Sequence, residues 1–144
     1  MPRVEHIRAK SGTHLATIIA KESEKRSGLP DPVTFFTEPK EELQVGLLTH
    51  PVGKVVEPHF HFPRTRKINF TTEVLVIQKG RICVRFYNND GTLAEQRTLI
   101  GGDVVIIFQG GHGLEVLNAC EILEVKQGPY QPDEKVPVIV REES

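Results

Sequence analysis

The apolar residues of this chain come in runs of four to seven, rich in Val, Ile and Phe, with Gly, Pro, Asn or Asp between one run and the next. Runs that short are the length of strands, and several alternate apolar and polar with a period of two. In RICVRFY (81–87), Ile82, Val84 and Phe86 fall on one face and Cys83, Arg85 and Tyr87 on the other. The pattern predicts strands over 14–20, 33–37, 43–49, 54–62, 73–78, 81–87, 93–100, 104–108, 113–118, 120–127 and 136–140. Asn88-Asn89-Asp90-Gly91 reads as a hairpin turn, because these residues tolerate positive φ, and Gly101-Gly102-Asp103 reads as another. A short helix is expected only in AKESEKR (20–26), which has no apolar stripe. Segments 21–32, 62–72 and 128–135 are expected to be irregular. Many short strands at even spacing predict an all-β sandwich or small barrel.

A length of 144 residues suggests one domain spanning 1–144. A chain of this size buries roughly 70% of its unfolded surface and needs no staple. The formal net charge of -1 argues against a general nucleic-acid binder, which carries a basic excess. No run of apolar residues is long enough to span a membrane, and MPRVEHIRAK lacks the apolar core of a signal peptide. A cytoplasmic location is therefore expected, with Cys83 and Cys120 as reduced thiols.

His59 and His61, in PHFHF (58–62), would point the same way from a strand, about 6.6 Å apart along it, with Glu57 on the same face. Two imidazoles on one strand hold a common ion only if other strands complete the set. The candidates are Glu73, at the start of an apolar run, and His112, between two runs. Three nitrogens and one oxygen suit Fe(II), Mn(II), Ni(II), Co(II) or Zn(II) and leave positions open for water or substrate. The blander alternatives are a Glu73 salt bridge to Arg64 or Arg66, and a turn role for His112 in GGHG. His6, His14 and His50 are expected to be ordinary strand or surface residues.

Gly53-x5-His59-x-His61, followed by Glu73-x6-Gly80, resembles the first motif of the cupin superfamily. Gly102-Asp103-Val104-Val105 with His112 resembles the second. The resemblance covers roughly residues 43–127, and eleven residues separate His61 from Glu73, more than that motif usually has. Phe108 stands where the second motif has a proline. The likeness implies a double-stranded β-helix (jelly roll), with N-terminal strands (1–42) and a C-terminal tail (128–144) packed on it. It also implies a divalent metal ion held inside the barrel by His59, His61, Glu73 and His112. The long first-motif loop and the tail EVKQGPY resemble small single-domain bacterial cupins found with surface-polysaccharide genes.

Arg64, Arg66 and Lys67 lie between two candidate ligands, where three cations would receive a carboxylate or phosphate. A solvated surface loop is the other reading of that charge run. The expected function is a metal-dependent enzyme acting on a small oxygen-rich substrate, a sugar or an acid, with Glu57 a candidate general base. Two rivals stand beside it: a metal-free sugar-nucleotide isomerase or epimerase with His59 or His61 as acid/base, and a non-catalytic binding module. A small-molecule ligand is expected as partner, without nucleic acid or membrane, and fold analogy suggests a homodimer. Residue parity leaves open whether Arg85 and Tyr87 face the cavity.

Overall fold

The structure is a computed structural model and describes residues 4–21, 32–132 and 135–142. Every regular element named among them is a strand. In chain order these are β1 (Val4–Arg8), β2 (His14–Ile19), β3 (Val33–Phe35), β4 (Gly46–Leu48), β5 (Glu73–Tyr87), β6 (Leu93–Ile100), β7 (Val104–Ile107) and β8 (Gly111–Lys126). Among the described residues no helix is long and apolar enough to cross a membrane. Contacts group the chain into two compact units, residues 1–24 with 70–144, and residues 25–69.

The first unit is a six-stranded antiparallel sheet in the order β1-β2-β7-β5-β6, with β8 also paired to β5. The fifteen-residue β5 is its spine. Residues 73–76 pair with β7 and residues 81–87 with β6, while β8 follows β5 along both halves. Ile7, Ala16, Ile18, Leu75, Ile77, Ile82, Val84, Phe86, Val105 and Ile107 form one buried cluster on the inner face. The alternation read from RICVRFY therefore holds. Arg85 lies on the opposite face, bonded to Glu115 at 2.6 Å.

The sheet is strongly curled. Glu73 pairs with Lys126 at one end of the β5–β8 ladder, and Phe86 pairs with His112 near the other. A straight strand would hold those ends roughly 43 Å apart. Instead the Glu73 and His112 side chains touch, at 3.0 Å. The bend falls between Ile77 and Ile82, where the register slips three times. Gly80 stands in that stretch with φ +96°, and a Cβ on it would come within 2.3 Å of the Ala119 carbonyl oxygen. Bulges and a left-handed glycine let a strand turn a corner without losing its partner. This curled, all-β sheet is consistent with a β-barrel.

Turn chemistry matches the sequence. The Asn88 side chain donates to the Thr92 carbonyl and hydroxyl oxygens and accepts from Lys10 N–H, which locks the β5–β6 hairpin. Buried Asp103 accepts from the backbone N–H groups of Ile100 and Lys21, at 2.9 and 2.7 Å. Gly102, φ +99°, donates to the Ile77 carbonyl oxygen. Gly102-Asp103 is thus a structural turn.

Some expected elements differ. Segments 73–78 and 81–87 are one strand, as are 113–118 and 120–127, because Gly80 and its neighbours form a bulged corner rather than a turn. The strand expected over 136–140 is absent; that segment is joined to the sheet by a Thr92–Arg141 bridge. β1 was not anticipated, since Glu5, His6 and Arg8 dilute its two apolar residues. The helix expected over 20–26 falls mostly outside the described residues. Cys83 and Cys120 are free thiols.

The second unit carries the two-stranded sheet of β3 and β4, paired from Val33–Leu48 to Phe35–Gly46. The Gln44 side chain ties its connection together, accepting from Thr37 Oγ1 and donating to the Glu38 and Glu41 carbonyls, each at 2.9 Å. No strand occupies 54–62, which corrects the expectation there: residues 51–70 are exposed throughout. Pro58 and Pro63 each lack the N–H that a ladder needs.

Candidate functional site

The four candidate ligands stand as two pairs, each within its own unit. Glu73 opens β5 and His112 lies near the start of β8, and both are on the inner face of the curled sheet. Glu73 pairs across the ladder with the buried Ile107, and His112 with the buried Phe86. His112 Nε2 donates to Glu73 Oε2 at 3.0 Å. A carboxylate oxygen only accepts, so that nitrogen carries the proton. The other ring nitrogen, Nδ1, is buried and has no hydrogen-bond partner among the described residues.

The His112 hydrogen bond holds the Glu73 carboxyl below its ordinary range, outweighing the burial that pushes it up. The charges of His112, Lys126 and Lys135 act in the same direction as that bond. Neither lysine was singled out from the sequence. Lys126 had a legible signal, because the end of an antiparallel partner must lie opposite the start of β5.

His59 and His61 lie in the exposed coil rather than on a strand, yet their rings remain neighbours, with centroids 5.1 Å apart and planes inclined by 63°. His59 Nδ1 is 2.7 Å from the Glu57 carbonyl oxygen. A carbonyl oxygen only accepts, so Nδ1 carries a proton and donates there. A backbone carbonyl orients metal-binding histidines in the same way. Arg64, Arg66 and Lys67 are exposed in the same coil, and among the described residues no hydrogen bond or ion pair engages them. Among the described residues, no group of three or more His, Cys, Asp or Glu side chains gathers as a metal set.

A further histidine pair lies on β1 and β2, at positions read from the sequence as ordinary. His6 Nδ1 and His14 Nε2 each lie 2.9 Å from the hydroxyl of buried Thr17, with ring centroids 5.1 Å apart. A register shift beside Arg8 brings His14 onto the face of His6 and Thr17, which strict alternation would not have shown.

No family model matches the chain, and neither a curated protein nor a solved structure matches it.

Proposed function

We propose that the chain is a metal-binding cupin, its curled sheet part of a jelly roll, in which His59, His61, Glu73 and His112 hold one divalent ion, Fe, Mn, Ni, Co or Zn. It would act as an enzyme on a small oxygen-rich substrate, a sugar or an acid. The observation that carries this function is the convergence of Glu73 and His112 on the inner face of the sheet. Two donors bound at about 2.1 Å and at right angles around one ion lie about 3.0 Å apart, which is the separation found here. His59 and His61 supply the matched imidazole pair. Their 5.1 Å ring separation is that of two rings bound side by side to one ion.

Such an ion would supply Lewis acidity toward a substrate oxygen or a water. The chain's own groups do the rest. Phe86 and Ile107, the buried ladder partners of His112 and Glu73, would limit water at the ion, and Arg64, Arg66 and Lys67 would attract an anionic group through their charge.

A metal-free reading is favoured by one observation: the His112–Glu73 contact is already a complete hydrogen bond. A carboxylate orienting an imidazole leaves Nδ1 as a base, the pairing used in general acid–base catalysis.

Elemental analysis of protein purified without chelator separates the two. The metal function requires about one equivalent per chain, with loss in His59→Ala, His61→Ala and His112→Ala and weakening in Glu73→Gln. Metal-free protein, or protein whose metal content is the same in all four variants, would refute it.

A further inference from the structure

The coil over residues 51–68 holds apolar and basic side chains together in water. Six of its large apolar residues are exposed: Val52, Val55, Val56, Phe60, Phe62 and Ile68. Phe60 and Phe62 are as open as in an isolated extended peptide, at 102% and 95%. Single exposed apolar residues are ordinary on a protein surface, whereas a run of them marks a place of contact. The same coil carries Lys54, Arg64, Arg66 and Lys67 against one acid, Glu57, in a chain whose net charge is -1. Among the described residues no ion pair engages these four cations. Two acids of the connection between β3 and β4 are held elsewhere, Glu38 by Lys40 at 3.0 Å and Glu42 by the Asn69 N–H at 3.2 Å.

Alternate residues of an extended chain share a side. His59 and His61 do so, with ring centroids 5.1 Å apart, and Phe60 and Phe62 therefore leave the chain together on the other side. Pro51, Pro58 and Pro63 interrupt the coil and no described strand pairs with it, so its backbone polar groups stay in water.

A partner that is apolar and negatively charged at once fits this coil. The bases of a single-stranded nucleic acid would stack on the two rings, but they would leave Val52, Val55, Val56 and Ile68 without a contact, because stacking needs a π-face. An acidic lipid surface suits both kinds of side chain. Aromatic rings settle at the headgroup level, aliphatic side chains reach the acyl boundary, and Lys and Arg meet the negative headgroups. A backbone that is not paired within itself stays in the wet headgroup layer.

We propose that residues 51–68 dock the protein on an acidic bilayer, with Phe60 and Phe62 inserted at headgroup level and Lys54, Arg64, Arg66 and Lys67 against the lipid headgroups. The coil lies on the bilayer and does not cross it. The contact uses the side of the chain opposite His59 and His61, so it is independent of metal binding.

The chain has no tryptophan, and Phe60→Trp therefore supplies a single reporter at the contact. Its emission is read with phosphatidylcholine vesicles, with vesicles that also contain phosphatidylserine, and with a single-stranded oligonucleotide. Vesicle sedimentation of the full native chain gives the affinity. Vesicles with phosphatidylserine should shift the emission to the blue and sediment the native chain, phosphatidylcholine alone should do neither, and salt should weaken the binding. Phe60→Ser with Phe62→Ser should lose at least about tenfold in affinity. Lys54→Gln with Arg64→Gln and Arg66→Gln should lose about fivefold for each cation. Both variants should keep the native circular dichroism spectrum and urea midpoint, because the replaced side chains are exposed. Val136→Ser with Ile139→Ser, exposed apolar residues elsewhere in the chain, should bind as the native protein does. No binding to the acidic vesicles, equal binding to both kinds, or undiminished binding by the Phe60/Phe62 variant overturns the proposal. Emission quenched by the oligonucleotide, without a shift on vesicles, also overturns it and assigns the coil to nucleic acid.

Discussion

Gly80→Ala should be among the most damaging single methyl additions to this chain. Gly80 has φ +96°, where an L side chain costs about 1–2 kcal/mol. The added Cβ would also lie 2.3 Å from the Ala119 carbonyl oxygen and 2.6 Å from Cys120 Cα. Both are backbone atoms of β8, so no side chain can rotate away, and the two strands must part by about 1 Å; overpacking of this kind costs about 1–3 kcal/mol. The total is roughly 2–5 kcal/mol, a large share of the ~5–15 kcal/mol that holds a domain together. Gly12→Ala isolates the first contribution, because Gly12 has φ +88° and nothing within 4 Å of its added Cβ. Urea unfolding of both variants gives the comparison. The difference, Gly80 minus Gly12, should be about 1–3 kcal/mol. Equal losses would show that the β5–β8 corner is not sterically closed, and the account of the curl would fail with it.

Three further outcomes follow from the structure. The depressed Glu73 carboxyl contributes stability that is fully present above its unfolded pKa of about 4.3 and is lost as pH falls through the lower folded value; the stability gap between native protein and Glu73→Gln should therefore close on acidification below ~4.3, and a gap constant with pH would rule the His112 bond out as its source. Phe86→Ala removes a fully buried ring from the inner face and should cost about 3–5 kcal/mol, read as a shift in unfolding midpoint at unchanged slope; a loss under about 1 kcal/mol would mean the core is not packed there. Replacing Arg64, Arg66 and Lys67 by Ala should leave fold and metal content unchanged and weaken an anionic ligand about tenfold, given ~0.2–1 kcal/mol per exposed contact, with the loss shrinking at high salt; equal thermal shifts with sugar phosphates for both proteins would leave these residues a solvated surface.

The fold was legible wherever a local pattern decided the structure. Leu93–Ile100 matches the expected strand residue for residue, and the Asn88–Gly91 and Gly102–Asp103 turns form through the side-chain and positive-φ chemistry that marks them in the sequence. The break expected between 73–78 and 81–87 misled because a turn and a bulged corner draw on the same residue types; what separates them is whether a partner strand continues alongside, which is information held forty residues later in β8. The expected strand at 54–62 failed for the opposite reason. Its alternation was real, but Pro58 and Pro63 remove ladder donors, and period two without a ladder is only an extended coil.

The candidate site shares this division between local and distant causes. His59 and His61 are neighbours because they are two residues apart, and they stay neighbours in a coil: their 5.1 Å separation needs no sheet. Glu73 and His112 are neighbours only because β5 bends. Without Gly80 and the slips between Ile77 and Ile82, the same ladder would hold them at opposite ends of one ribbon. Gly80, seven residues past Glu73, therefore has a physical role distinct from binding. It folds the strand that carries the carboxylate back toward His112, so that two residues far apart in sequence reach hydrogen-bond distance. If that is its role, a change at Gly80 should impair whatever Glu73 and His112 do together, in metal content or in acid–base chemistry, while leaving the His59–His61 pair untouched.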